Sequence, residues 1–402
     1  MTIARPIAIT SYAALTPLGD ADATWRELLA GRIAFSPANR NRPYVAAHCA
    51  IPVRDESLFM RRCLALALEA TRGLKLNPNI DASRRALVLA STKAELDQWE
   101  LQRAMRVAPQ EHGIVLSEMA RELARRLGIT GRVLAVSTAC CSGAQAIIEA
   151  AEMLHDGDCD EAVVIGADSL TLVIEHGFGA LQAISKSGAR PFDAARDGLT
   201  LGEAGAAVVL GTVPVRAANE GLSPSLPQSE DTPLTSSKGG DRPLRGQSPT
   251  IIGWGASNDA NHISGPSRDG SGLALAIERA LHGLDKSRVN AICAHGTATR
   301  FNDAMEAHAF RAVFGEAIPP VFSIKGNLGH TLGAAGVLEL IVSAQGALQR
   351  MAPPTAGFER QGADEPRLDV VHIAPRPLSG GFVLSTNSGF GGMNTALVVE
   401  AP

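Results

Sequence analysis

Cysteine is scarce in this chain: six residues in 402, and no two of them in C-x-x-C spacing. That excludes a disulfide framework and the usual zinc or dithiol redox motifs, and it makes a reducing cytosol the expected compartment. Charge of one sign is lacking too. The formal net charge is -4, and no run of Lys or Arg forms a nucleic-acid stripe, so polyanions are poor partners. No apolar run approaches the roughly 20 residues that span a bilayer. The opening Met-Thr-Ile-Ala-Arg-Pro-Ile-Ala-Ile-Thr lacks a charged leader with a cleavage site and reads as a first strand. A soluble, cytoplasmic protein is expected.

What is present is apolar and small. Hydrophobic residues make up 45% of the chain, with 40 glycines, a composition suited to close-packed helices and buried strands. The length suggests two or more folding units. Short β-rich runs at Ile7–Ile9, Ala86–Ala90, Val133–Val136 and Ala162–Ile165 alternate with helical stretches at Leu58–Leu74, Leu116–Leu127 and Ala144–Leu154. A second series follows from Thr250–Trp254 through helix Leu273–Leu284, strand Val289–Ala294, helix Ala304–Phe314, strand Val321–Ile324 and helix Ala334–Leu348, to strands Phe382–Ser385 and Ala396–Val399. Such alternation argues for an α/β fold with a mainly buried sheet. Between Pro214 and Pro249 the composition turns to Ser, Pro, Thr and Gly, which reads as an exposed insertion between the two series.

Three segments carry chemistry. Cys140 stands in Val-Ser-Thr-Ala-Cys-Cys-Ser-Gly, on an expected strand-to-helix elbow where backbone N–H groups and the helix dipole favour a thiolate. Adjacent helical residues point about 100° apart, so Cys141 cannot face the same substrate and is assigned to packing. His295 stands in Ala-His-Gly-Thr-Ala-Thr. His330 stands in Ile-Lys-Gly-Asn-Leu-Gly-His-Thr-Leu-Gly-Ala-Ala-Gly, just ahead of a helix whose partial positive charge keeps an imidazole neutral. One thiol can accept an acyl group as a thioester, and two imidazole N–H donors can stabilise an enolate oxygen. The glycine loop Gly389-Phe390-Gly391-Gly392 does not fit a dinucleotide fingerprint.

These segments, in this order, resemble the β-ketoacyl-carrier-protein synthases, the condensing enzymes of fatty acid and polyketide assembly. Arg190-Pro191-Phe192-Asp193, Gly202-Glu203-Ala204-Gly205 and the Ser257 to Pro266 stretch with Asp259-Ala260-Asn261-His262 extend the likeness over nearly the whole chain. The resemblance implies a thiolase-like fold: two pseudo-duplicated β-α-β-α-β halves in α-β-α-β-α layers, with the nucleophile in residues 1–213, the histidines in 250–402 and the insertion at 214–249. It implies Cys140 as nucleophile, with His295, His330 and Lys325 completing the catalytic set. It makes the N–H groups of Cys140 and Phe390 an oxyanion hole, and Phe390 a gate to an acyl pocket shared with Ser388 and Met393. Thr297 and Thr299 would contact pantetheine, and Asp303, Glu306 and Glu339 would support Lys325 and the histidines. His262 would be structural or line the pocket.

The implied reaction is decarboxylative condensation of an acyl thioester with a malonyl-carrier protein, needing no metal or other cofactor. Implied partners are acyl carrier protein and a second copy of the chain or a silent relative. The chain departs from the family pattern at Arg300-Phe301-Asn302, Ser388 and Met393. These changes set the expectation of a specialised lipid or polyene pathway. A degradative thiolase would need a later cysteine, and none follows Cys293. The competing non-enzyme reading is a silent subunit that shapes a partner's pocket, but such relatives usually lack the reactive cysteine.

Overall fold

Apolar side chains alternate between two faces of the buried strands, and each face collects its own helices. The computed structural model describes residues 6–38, 44–51, 61–106, 115–213, 248–363 and 365–401. Its main strands are β1 (Ile7–Thr16), β2 (Arg85–Ala90), β3 (Val133–Val136), β4 (Glu161–Asp168), β5 (Ala204–Thr212), β6 (Thr250–Asn258), β7 (Ala291–Cys293), β8 (Val321–Phe322), β9 (Phe382–Gly389) and β10 (Met393–Glu400). They run in the order β8-β7-β9-β10-β6-β1-β5-β4-β2-β3. Outward from the central antiparallel β1–β6 contact, the order 1-5-4-2-3 on one side is matched by 6-10-9-7-8 on the other. Strand directions match as well. β2 lies parallel to β3 and β4, as β7 does to β8 and β9, and the remaining pairs are antiparallel.

The helices that matter are α1 (Arg62–Thr71), α2 (Leu116–Arg126), α3 (Ser142–His155), α4 (Leu172–Ala180), α5 (Ser271–Ala280), α6 (Arg300–Phe314) and α7 (Ala335–Gln349). Leu87, Leu89, Val163 and Ile165 pack against α1 and α2 through Leu64, Met119 and Leu123. Their neighbours Ala86, Val88 and Val164 face the other way, into a central cluster with Ile147 of α3 and Leu338 and Ile341 of α7. Val383, Leu397 and Val399 enter the same cluster from the second half, while Leu384, Val398 and Ile292 face Ile277 of α5 and Phe310 of α6. The result is the thiolase-like α-β-α-β-α layering. At the centre, α3 and α7 touch through glycines: a Cβ on Gly143 would lie 2.8 Å from Val337 N, and one on Gly336 would overlap Ala144.

The stretch Leu332–Gln349 is long and apolar enough by composition to cross a membrane, but 89% of it is buried as the central helix. Several boundaries differ from those read in the sequence. The strand expected at Val321–Ile324 stops at Phe322, because Ile324 caps the short helix Lys325–Leu328. The helix expected from Leu58 spans Arg62–Thr71, with 58–60 outside the described residues. β5 and α4 were not anticipated. The insertion read at 214–249 lies outside the described residues except for Ser248 and Pro249.

Candidate active site

β3 ends at Val136 and the chain turns through Ser137, Thr138 and Ala139 into Cys140, with α3 beginning at Ser142. Ala139 adopts φ +51°, a left-handed conformation that costs a non-glycine residue energy, so the surroundings must hold it. Ser142 supplies two clasps: its Oγ accepts the Thr138 N–H at 2.9 Å and donates to the Ala139 carbonyl at 2.6 Å. The elbow leaves Cys140 buried at the bottom of a cleft of about 780 Å³. Cys141 turns away, its thiol donating to the Met393 carbonyl at 3.2 Å, as the packing assignment expects.

The thiolate expected from the elbow meets an opposing effect. Burial pushes the Cys140 thiol up to about 12, while Lys325 and a hydrogen bond from the Phe390 N–H act in the other direction. Desolvation is the largest of these effects.

His295 follows β7, and His330 follows the short helix Lys325–Leu328 and precedes α7. Their rings meet edge to face with centroids 5.1 Å apart. Cys140 Sγ and one ring nitrogen from each histidine lie within 4.8 Å of one another. His330 Nδ1 accepts the Leu332 N–H at 3.3 Å. His295 Nδ1 faces two donors, Lys325 Nζ at 3.2 Å and Asn387 Nδ2 at 3.3 Å. With both Nδ1 atoms accepting, each neutral ring carries its proton on Nε2. His330 Nε2 is buried with no hydrogen-bond partner among the described residues. Burial holds both imidazoles well below their usual range, with the Lys325 charge adding to the effect and, for His295, that of His330. A metal bound at Nε2 would force each Nδ1 to carry a proton against a donor, so the trio is built to donate hydrogen bonds rather than to ligate a cation.

Lys325 is fully buried and pairs with Glu339, which also accepts from Asn387. Burial pushes the Glu339 carboxyl up, opposed by Lys325 and Asn387. Glu306 and Asp303 are buried in α6 rather than exposed on its surface. Glu306 accepts the N–H groups of His295 at 2.8 Å and Gly296 at 2.6 Å. Asp303 accepts those of Phe192 at 2.7 Å and Ala298 at 3.1 Å. These two carboxylates therefore hold the backbone around His295, and Glu339 alone of the three pairs with Lys325.

Thr297 and Thr299 line the cleft and share a 3.0 Å hydroxyl contact. Ser388, Phe390 and His262 line it too. Ser388 is tied down by its hydroxyl, which donates to Asn394 Oδ1 at 2.7 Å. The Met393 thioether faces Asn258 Nδ2 at 3.3 Å. Its neighbour Asn394 is buried, its Nδ2 donating to Asp259 Oδ1 at 2.6 Å.

Sequence reasoning missed three contributors. Phe178 of α4 stacks on Phe390 at 5.5 Å. Asn387 bridges His295 and Glu339. Asp168, at the end of β4, collects Ser91 Oγ, the Thr92 N–H, Lys93 Nζ and the Gly333 N–H, the last at 2.7 Å. A carboxylate closing the apolar run from Ala162 to Ala167 was the available signal.

A family model described as Beta-ketoacyl synthase, N-terminal domain, matches residues 52–214, and one described as Beta-ketoacyl synthase, C-terminal domain, matches 249–359. The 3-oxoacyl-[acyl-carrier-protein] synthase 2 of Vibrio cholerae is 28% identical, over 98% of this chain and 99% of its own. A putative polyketide beta-ketoacyl synthase 1 of Streptomyces halstedii is 29% identical, over 100% of this chain and 99% of its own. Among solved structures, a ketosynthase (ApeO) in complex with its chain length factor (ApeC) from Xenorhabdus doucetiae superposes with a TM-score of 0.81 at 26% identity, covering 99% and 98% of the two chains. Two domain models in the expected order, full-length relatives and the thiol–imidazole constellation agree: the chain belongs to the β-ketoacyl-acyl-carrier-protein synthase family and is an enzyme of the ketosynthase type.

Proposed function

We propose that the chain condenses an acyl thioester with a malonyl-acyl carrier protein, with loss of carbon dioxide, to give a β-ketoacyl-acyl carrier protein. The observation that carries this reading is the buried Cys140 thiol beside two imidazoles whose Nδ1 atoms accept and whose Nε2 protons are left for a substrate. Residues 1–213 bring the thiol and residues 250–402 the imidazoles. In the first step Cys140 attacks the acyl-carrier thioester, and its proton leaves with the released pantetheine thiol. The malonyl thioester then places its carbonyl against His295 and His330, which hold the enolate oxygen as the carboxylate departs as carbon dioxide. The enolate carbon attacks the Cys140 thioester. The N–H groups of Cys140 and Phe390 receive the tetrahedral oxyanion, the C–S bond breaks, and the sulfur regains one proton.

Thr297 and Thr299 are assigned to the pantetheine amides, Phe390 with Phe178 and Ser388 to the acyl side, and Lys325 with Glu339, Glu306 and Asp303 to positioning. The silent-subunit reading has no support from a site in which thiol, imidazoles and lysine all persist. A cytoplasmic homodimer is the assembly proposed: β3 is a sheet edge with Val133 and Leu134 exposed, open to pairing with a second copy. Pathway placement, specialised lipids or polyenes included, rests on the departures at Arg300 to Asn302 and Ser388.

Intact-protein mass spectrometry with a panel of acyl-carrier proteins, wild type beside Cys140→Ala, tests the reaction. A Cys140-dependent acyl adduct that disappears on adding malonyl-carrier protein, as a β-keto product two carbons longer forms, is the expected result. Absence of adduct, condensation and decarboxylation alike would move the silent-subunit reading ahead.

A further inference from the structure

The cleft that ends at Cys140 begins at a cationic, aromatic rim that the reaction above does not use. Exposure separates the rim of the cleft from its interior: Phe301 is 63% exposed, whereas Thr297 and Cys140 are 6% and 7%. Arg268 and Arg300 line the same cleft and are both exposed. The Arg268 guanidinium lies over the Phe301 ring, 5.4 Å from its centroid, a cation–π contact that fixes a planar donor fork without consuming its charge. The carboxylates nearby are engaged elsewhere. Asp197, which lines the cleft, accepts from Ser185 Oγ and the Lys186 N–H, and Asp269 accepts from the hydroxyls of Ser267 and Ser271. Arginine suits an anion with several oxygens better than lysine does, because its donors match phosphate geometry.

We propose that Arg268 and Arg300, with Arg268 braced on Phe301, form an anion subsite at the cleft mouth for the phosphodiester of a phosphopantetheine arm whose thioester end reaches Cys140. This rests on the ketosynthase reading and deepens it by assigning a further recognition element to the donor. The hydroxyls of Thr297 and Thr299 line the passage between the two ends. No bond is made or broken at the subsite; it selects the donor by charge.

The test separates the subsite from the chemistry. Binding of an acyl-phosphopantetheine amide, which cannot react, is compared by calorimetry with the same molecule lacking phosphate, in wild type, Arg268→Gln/Arg300→Gln, Phe301→Leu and Arg268→Lys/Arg300→Lys. Wild type is expected to bind the phosphorylated arm about tenfold more tightly, the scale of one or two charge-assisted hydrogen bonds at an exposed site. The glutamine pair should bring that ratio to about one, Phe301→Leu should lower it, and the lysine pair should restore part of it. Wild type showing no preference, or the glutamine pair keeping it, would overturn the proposal. In parallel, Cys140 acylation by the corresponding thioesters is followed by mass spectrometry. A phosphate preference in binding without any acylation leaves the anion subsite standing and removes the ketosynthase reading, whereas acylation without a phosphate preference does the reverse.

Discussion

The Lys325 amine lies 3.2 Å from Nδ1 of His295, on the side of the imidazole turned away from the thiol. A buried cation there fixes which nitrogen keeps its proton and opposes a second positive charge on the ring. The histidine is thereby held as a neutral donor.

That arrangement sets the pH response. Both imidazoles are held below the usual value of 6.5, first by burial and then by Lys325. As pH falls through 6.5 they stay neutral, so carbon dioxide release from malonyl-carrier protein by Cys140→Ala should hold its rate and decline only at lower pH. Lys325→Met removes one cause and leaves the Glu339 carboxylate without its cation, so the acid limb should move to higher pH. An acid limb already at 6.5 in the Lys325-containing protein would contradict the assignment. Stability follows the same depression: below about 6.5 the unfolded chain takes up protons that the folded site refuses, so the native state should weaken as pH falls.

Burial acts on the Cys140 thiol in the opposite sense from activation. With burial pushing it up to about 12, alkylation by iodoacetamide at pH 7 should be slow and should keep rising beyond pH 9 without a plateau. Rapid labelling at pH 7, located at Cys140 by peptide mapping, would mean that the elbow's N–H groups and the α3 dipole outweigh desolvation.

Asp168 and Lys93 form a buried pair at 2.9 Å. Asp168→Asn should cost about 3–5 kcal/mol, because Lys93 is left buried and uncompensated. The double variant Lys93→Met/Asp168→Asn should recover part of that loss in urea denaturation. Additive losses would show that the two residues do not act as a pair.

Gly336→Ala places a methyl group against the backbone of Ala144, where neither helix has room. A loss of about 1–3 kcal/mol or more is expected from such overpacking. An unchanged denaturation midpoint would show that the central helices can separate without penalty.

The periodic elements were legible wherever burial was one-sided or the run was rich in Val, Ile and Leu, as in β2, β4 and α7. The start of β5 escaped because Ala204, Gly205, Ala206 and Ala207 carry no β-branched signal; Gly205 and Ala207 face α1, with Leu66 against Gly205, while Ala204 and Ala206 face the central cluster. Cys140, His295 and His330 were legible because each sits in a short segment of small residues at an expected strand or helix end. Asn387 and Asp168 were not, since their importance lies in what they touch far along the chain: Asn387 reaches His295 and Glu339, and Asp168 reaches Gly333 in the other half.

The glycine contact between α3 and α7 bears on how such a protein can change. The thiol stands at the start of one helix and the His330 loop at the start of the other, and at Gly143 and Gly336 the two backbones abut with only the Ala144 methyl beside them. Neither glycine has a rotamer to change, and any larger residue there meets backbone. The spacing of the reacting groups is therefore insulated from the cleft mouth, where Arg268, Arg300 and Phe301 stand in solvent, and the mouth is free to be rewritten for new donors while the interior geometry is inherited intact.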